Sequence, residues 1–307
     1  MKIIFKDFIG SNFCYSFSHS PVAICSFLIA ASLIFCAIIA PVIAPYSPYD
    51  PATLNLMNGF SAPLKTNEFT GDTFVFGADD QGRDIFSTIL YGMRISLFVG
   101  FSAVLFAMVL GVFLGLIAAM VGGITDAIIM RIADIQLSFP SILIAMLIFG
   151  IAKGITPPEM RNQMAIWVLI LSIGLSDWVQ FARVVRGSAM VELQKEYVEA
   201  AKLIGVHPIG ISLRHIFPNV VPSVLVIATI SLALAIISEA TLSFLGVGAP
   251  PTQPSLGTLI RIGQGFLFSG EWWIIFFPSL ALLLLALSVN LLGDWLRNTL
   301  DPNLGIK

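Results

Sequence analysis

The side chains that could do chemistry are few and scattered. The histidines are His19, His207 and His215, and the cysteines are Cys14, Cys25 and Cys36. No histidine stands at metal-ligand spacing from a cysteine or carboxylate, and the three cysteines fit no metal framework. Cys25 and Cys36 lie eleven apart in one apolar run, so both are expected to pack as small apolar groups on one helix side. No G-x-x-x-x-G-K-[ST] is present, so the chain has no P-loop with which to cradle a nucleotide. Gly77-Ala78-Asp79-Asp80-Gln81-Gly82-Arg83-Asp84 is acidic but lacks the alternating ligands and distal glutamate of a calcium loop. Asp177 and Glu239 sit late in apolar runs, where an ionisable group is costly and invites a functional explanation. Both lie away from the middle of their runs, where a proton relay belongs. Interfacial or helix-contact roles are therefore expected of them ahead of substrate binding. No catalytic or metal site is expected in this chain.

One polar stretch, Glu196 to Asn219, is built differently from its surroundings. Leu193, Tyr197, Ala200 and Ile204 recur at spacings of four, three and four, which predicts an apolar stripe along a helix. Ala200 and Ala201 keep that helix thin, with Glu199 beside them. Gly205 suits the left-handed residue that ends a helix, and Pro208 suits the first turn of the next. Pro218 is expected to stop that second helix. The pattern supports two readings: an amphipathic loop on the lipid headgroups, or a thin helix displayed for another protein.

The elements that hold this stretch are apolar. With 57% hydrophobic and 11% charged residues and a mean hydropathy of +0.93, the chain departs from soluble domains, which carry about 25% charged residues. A net charge of −2 offers no basic field for nucleic acid. Six crossings are expected: Pro21–Ala44, Gly92–Met120, one inside Asp126–Ala152 starting near Gln136, Met164–Ala182, Val220–Leu245 and Trp272–Leu292. Trp272 and Trp273 occupy the place of an aromatic belt, and Arg131 and Asp134 could pair at an interface. Pro45–Tyr91 is the longest segment outside the crossings, with two cations against six carboxylates. The chain therefore divides at 1–91 and 92–307. With the N-terminus inside, Lys2, Lys6, Arg131, Arg183, Arg186, Lys195, Lys202, Arg214, Arg297 and Lys307 share the inner side. Lys65, Arg83, Lys153, Arg161 and Arg261 fall outside, and this bias predicts N-in, C-in with the 196–219 stretch in the cytoplasm.

Two small-residue faces stand out. Ala103, Ala107, Gly111, Gly115 and Ala119 recur every four residues, a ridge suited to close helix packing in lipid. Ala228, Ser231, Ala235 and Ser238 form a small, partly polar face that either packs tightly or lines an aqueous pathway.

The wording of the polar stretch adds a resemblance. Glu199-Ala200-Ala201, then Gly205, then His215-Ile216-Phe217-Pro218, resembles the EAA loop of ABC-importer permeases, with His215 and Phe217 in its Ile and Leu slots. The 77–84 run is similar to the G-T-D-x-x-G-R-D signature of the peptide branch, with Ala78 for Thr. Glu239 to Gly248 resembles its E-A-x-L-S-F-L-G-x-G, and Gly293-Asp294-Trp295-Leu296-Arg297 with Leu300-Asp301-Pro302 resembles its ending, with Asn298 for the last Asp. The chain is thus identified as a member of the dipeptide/oligopeptide (DppC/OppC-type) permeases.

The resemblance implies an all-α integral membrane protein of the bacterial inner membrane that is not itself an enzyme. Its 192–219 loop would be the coupling helix, through Tyr197, Glu199, Ala200, Ala201, Gly205, His215 and Pro218. Partners would be a homologous permease subunit, two cytoplasmic ATPases holding ATP and magnesium, and an extracytoplasmic binding protein; no cofactor would bind this chain. Close relatives handle nickel and other solutes, so nickel or another small solute is the alternative cargo. From other classes, an ion-coupled secondary carrier would want central ionisable residues, and a polytopic membrane enzyme would need a catalytic cluster.

Overall fold

A computed structural model describes residues 14–49 and 54–300, and among these residues the chain is helical, with only two isolated β-bridges, Thr66 to Thr73 and Ala78 to Asp84. In chain order the helices are α1 (Cys14–Ser18), α2 (Pro21–Ile38), α3 (Ala40–Ile43), α4 (Ile85–Val121), α5 (Gly123–Leu137) and α6 (Ser141–Ile155). They continue with α7 (Arg161–Leu193), α8 (Glu196–Leu203), α9 (Pro208–Ile211), α10 (Phe217–Phe244), α11 (Leu256–Gln264) and α12 (Trp273–Leu300). Lys2, Lys6, Asp50, Asp301, Pro302 and Lys307 lie outside the described residues, as does the side chain of Cys14.

Five helical stretches are long and apolar enough to cross a membrane: α2, α4, α7 with the short turn before it, Pro208–Phe244 and α12. The expected third crossing differs. Instead of one span from near Gln136, α5 and α6 meet at a bend of 98°, and only as a broken pair do they make a sixth span. Pro140 forces the break, since it lacks an N–H and pushes Phe139 out of the helical region. Gln136 does not open a crossing either: its amide donates to the Leu175 and Ser176 carbonyls and accepts from Trp178 Nε1 at 3.0 Å. Asp134 pairs with Arg183 of α7, not with Arg131. Asp126 takes Arg186 in a bidentate pair, so two ion pairs tie α5 to α7.

The second crossing starts at Ile85 instead of Gly92, which carries helix across the expected boundary at 91/92. Asp84 supplies the reason, its carboxylate capping the helix by accepting from Ser87 N at 2.9 Å. At 37 residues α4 is about 55 Å long against about 30 Å of hydrocarbon, so its ends stand clear of the bilayer core. Its small ridge lies against α7. Ala103, Ala107, Gly111 and Gly115 are buried and Ala119 is half-buried. A Cβ on Gly111 would lie 2.5 Å from the Trp178 carbonyl oxygen, and one on Gly115 would lie 2.6 Å from that of Ala182. Cys25 faces outward from α2, against the packed role expected of it, because the buried side of that helix is made by Ala23, Ser26, Ala30 and Ala37.

Residues 54–84 form a cap over the starts of α4 and α12. Asp79 accepts from the backbone N–H groups of Gln81 and Arg83 and from Arg83 Nε at 2.6 Å, so the acidic run closes on itself. Trp273 is buried and donates from Nε1 to the Ala78 carbonyl, so only Trp272 keeps the exposure of a belt residue.

Candidate functional site

The polar stretch folds into a small helix held on three sides. α7 ends at Leu193, two residues turn the chain, and α8 begins at Glu196. Gly205, at φ +80°, closes α8 with paired bonds from Gly205 N to the Lys202 carbonyl and Val206 N to the Ala201 carbonyl. Pro208 opens α9, with the His207 imidazole accepting from Ile209 N. Pro218 does not stop the second helix. Ser212–Ile216 form a π-helical turn, Phe217 N bonds the Ser212 carbonyl, and Pro218 falls in the first turn of α10, where a missing N–H leaves little unsatisfied. The chain therefore runs as continuous helix from Pro208 to Phe244.

The buried face of α8 is one residue round from the expected stripe. Val198 and Ala201 are the buried residues, in one cluster with Ile211, Ile216 and Val220, whereas Tyr197, Glu199 and Ala200 are exposed. Leu193 belongs to α7, so the two-residue turn at Gln194 and Lys195 resets the helical phase. Leu203 and Ile204 are 88% and 81% exposed, and Ile209 and Leu213 further along the stretch are exposed as well. Four aliphatic side chains without cover on a polar projection form a surface that gains free energy when another protein covers it.

A polar hub that the spacing gave no reason to single out braces this helix. The Glu192 carboxylate, at the end of α7, accepts from Lys195 Nζ at 2.6 Å, from the Tyr197 hydroxyl and from Asn219 Nδ2 at 3.3 Å. Asn219, at the start of α10, also donates to Tyr197 Oη and to the His215 carbonyl, both at 2.9 Å. Desolvation and the neighbouring carboxylate hold the Tyr197 phenol above its ordinary pKa, so it remains a donor. Hydrogen bonding to Glu192 likewise raises Lys195. One carboxylate thus joins α7, α8 and α10. Tyr197→Phe should weaken this joint by about 0.5–1 kcal/mol, the worth of a part-exposed hydrogen bond to a charge. A double-mutant cycle with Asn219→Ala on thermal unfolding in detergent measures it, and additive effects would deny the hub.

The remaining singled-out residues lie elsewhere. Glu239 is fully buried, and its carboxylate accepts from Ser243 Oγ at 2.7 Å, while that hydroxyl accepts from Ala249 N. Ser96 Oγ of α4 accepts from Leu256 N, so a hydroxyl of α4 meets the start of α11. Gly257 lets α11 lie on α10, since a Cβ there would be 2.2 Å from the Ala240 carbonyl oxygen. Glu239 is therefore enclosed within the chain, hydrogen-bonded along its own helix. Of the small face on α10, Ser231 and Ala235 are buried within the chain, and Ala228 and Ser238 are half-buried. Asp177 is half-buried, with Ser176 Oγ at 3.4 Å as its hydrogen-bond donor.

Known proteins share this chain's sequence across nearly its whole length. Residues 111–306 match the family of binding-protein-dependent transport system inner membrane components, and residues 11–63 match the N-terminal TM domain of oligopeptide transport permease C. The dipeptide transport system permease protein DppC of Escherichia coli is 36% identical over 293 residues, 95% of this chain and 93% of that protein. The oligopeptide transport system permease protein OppC of Bacillus subtilis is 35% identical, over 94% of this chain and 88% of that one. The di/tripeptide permease protein DppC of Pseudomonas aeruginosa is 34% identical, over 95% and 92%. The chain belongs to the binding-protein-dependent transport system inner membrane components and is a multi-pass permease subunit of the bacterial inner membrane.

Proposed function

We propose that this subunit forms half of the translocation pathway of an ATP-driven importer of di- and oligopeptides. The observation that carries the cargo is the naming of relatives about 35% identical over most of the chain, each a peptide permease. A homologous permease would supply the other half of the pathway. Two cytoplasmic ATPases, with their ATP and magnesium, would supply the force, and an extracytoplasmic binding protein would deliver the peptide. The lysine and arginine bias supports N-in, C-in and a cytoplasmic α8. The uncovered Leu203, Ile204, Ile209 and Leu213 support docking of that segment in a groove of the ATPase, with Glu199, Ala200 and Gly205 in the contact.

In this reading the Glu192–Tyr197–Asn219 hub converts motion of α8 into rocking of α7 and α10, which alternately opens the pathway to either side. Uptake of labelled dipeptides, longer peptides and nickel should be compared in cells lacking this subunit and in the same cells complemented with it. Restored peptide uptake with unchanged nickel uptake is expected. Restoration of nickel alone would reassign the cargo, and import that persists without ATP would replace the mechanism with an ion-coupled one.

A further inference from the structure

The groove between α2 and α4 holds a cation that nothing among the described residues neutralises. Ile34 and Ile38 from the last turns of α2, Leu97 and Phe101 from α4, and Leu232 from α10 line an apolar cavity of about 360 Å³ with Arg94 as its one charged lining residue. Arg94 is exposed and takes part in no hydrogen bond or ion pair among the described residues, where the cations paired are Arg83, Arg183, Arg186 and Lys195. A guanidinium among apolar side chains of a membrane-crossing helix is costly unless its head reaches the polar edge of the bilayer.

Three features set Arg94 at that edge. It shares the groove with Ile38, the last residue of α2, within two turns of Pro45, which ends the apolar run. One turn further along α4, Phe98 meets Trp167 edge-on at 6.0 Å between ring centres, and Trp167 is 56% exposed, as an interfacial tryptophan is. On the other side of Arg94, Ile85, Ile89, Leu90 and Met93 are buried in one cluster with residues of α2, α10, α11 and α12, against which Ala62 and Phe76 of the 54–84 cap also pack. The groove then descends seven residues of α4, about 10 Å, from Arg94 to Phe101.

We propose that this groove is a phospholipid site. The Arg94 guanidinium holds the phosphate of an anionic phospholipid, in the leaflet where α2 ends and α4 begins. One acyl chain lies along Leu97 and Phe101 until Leu232 stops it. The planar fork of an arginine matches two phosphate oxygens, and the head of a lipid sits at this depth without help. A protein helix in the same place would have to bring a carboxylate onto apolar surface to meet Arg94.

The test uses the transporter complex purified with the subunits that accompany this chain, reconstituted in nanodiscs of phosphatidylglycerol and phosphatidylcholine. After extraction into detergent, native mass spectrometry counts retained phosphatidylglycerol. Wild type should keep it, and Arg94→Gln should keep roughly tenfold less, as loss of a charge-assisted phosphate contact requires. Arg94→Lys should fall between them. Ile38→Trp, on an exposed position that leaves the cation in place, should also lose the lipid by filling the groove. Equal retention in Arg94→Gln, or in Ile38→Trp, overturns the proposal. So does a photo-crosslinker at position 94 that captures another protein chain of the complex instead of lipid.

Discussion

Membranes carrying Ala201→Trp are expected to hold normal amounts of the permease and to take up less than roughly a tenth of the wild-type dipeptide, about 1.4 kcal/mol of lost coupling. Ala201 is 5% exposed and packs with Val198, Ile211, Ile216 and Val220 beneath α8. An indole cannot fit there, and overpacking of this kind costs about 1–3 kcal/mol. The strain is most easily relieved by lifting α8, because α8 is eight residues long and the face away from Ala201 is open to solvent. Insertion depends on the long apolar helices, which the change leaves alone. Gly205→Asp should act in the same direction more weakly: φ +80° disfavours a side chain by about 1–2 kcal/mol, but no atom lies within 4 Å of the added Cβ. Uptake per mole of immunoblotted permease reads both variants, and full activity of Ala201→Trp at normal abundance would remove α8 from the coupling path.

The second large effect concerns assembly of the bundle, and it should remove the protein itself. Gly115→Leu places a Cβ 2.6 Å from the Ala182 carbonyl oxygen and 2.9 Å from Val185 Cβ; Gly111→Leu places one 2.5 Å from both Phe181 Cβ and the Trp178 carbonyl oxygen. Backbone cannot swing aside as a flexible side chain does, so α4 and α7 must separate along their longest contact. In lipid, that contact is held by close packing of small faces. Each variant should lose at least about 2–3 kcal/mol and accumulate poorly. Gly150→Ala and Gly154→Ala are the matched controls, since nothing lies within 4 Å of a Cβ at either position. Wild-type abundance and melting of Gly115→Leu would mean that the ridge does not hold α4 to α7.

Much of this protein could be read from the order of its residues, because the relevant forces are local or one-dimensional. A bilayer selects long apolar runs whatever their neighbours, so α2, α4, α7, α10 and α12 were each expected close to where they stand. A four-residue repeat of alanine and glycine states that a backbone approaches there, though not that the partner is α7. Gly205 and Pro208 mark a helix end and a helix start through their own dihedral limits, and both do so.

Tertiary structure alone decided what depends on a second element. Pro218 could be either a stop or a first-turn residue; the π turn at Ser212–Ile216 lets the helix continue through it. The phase of α8 changed because two turn residues intervene after Leu193, which moved burial to Val198 and Ala201. Asp134 left its sequence neighbour Arg131 for Arg183, and Glu192 and Asn219, 27 residues apart, met over Tyr197. Side chains find partners by distance in space, and spacing along a chain carries that distance only within one unbroken helix.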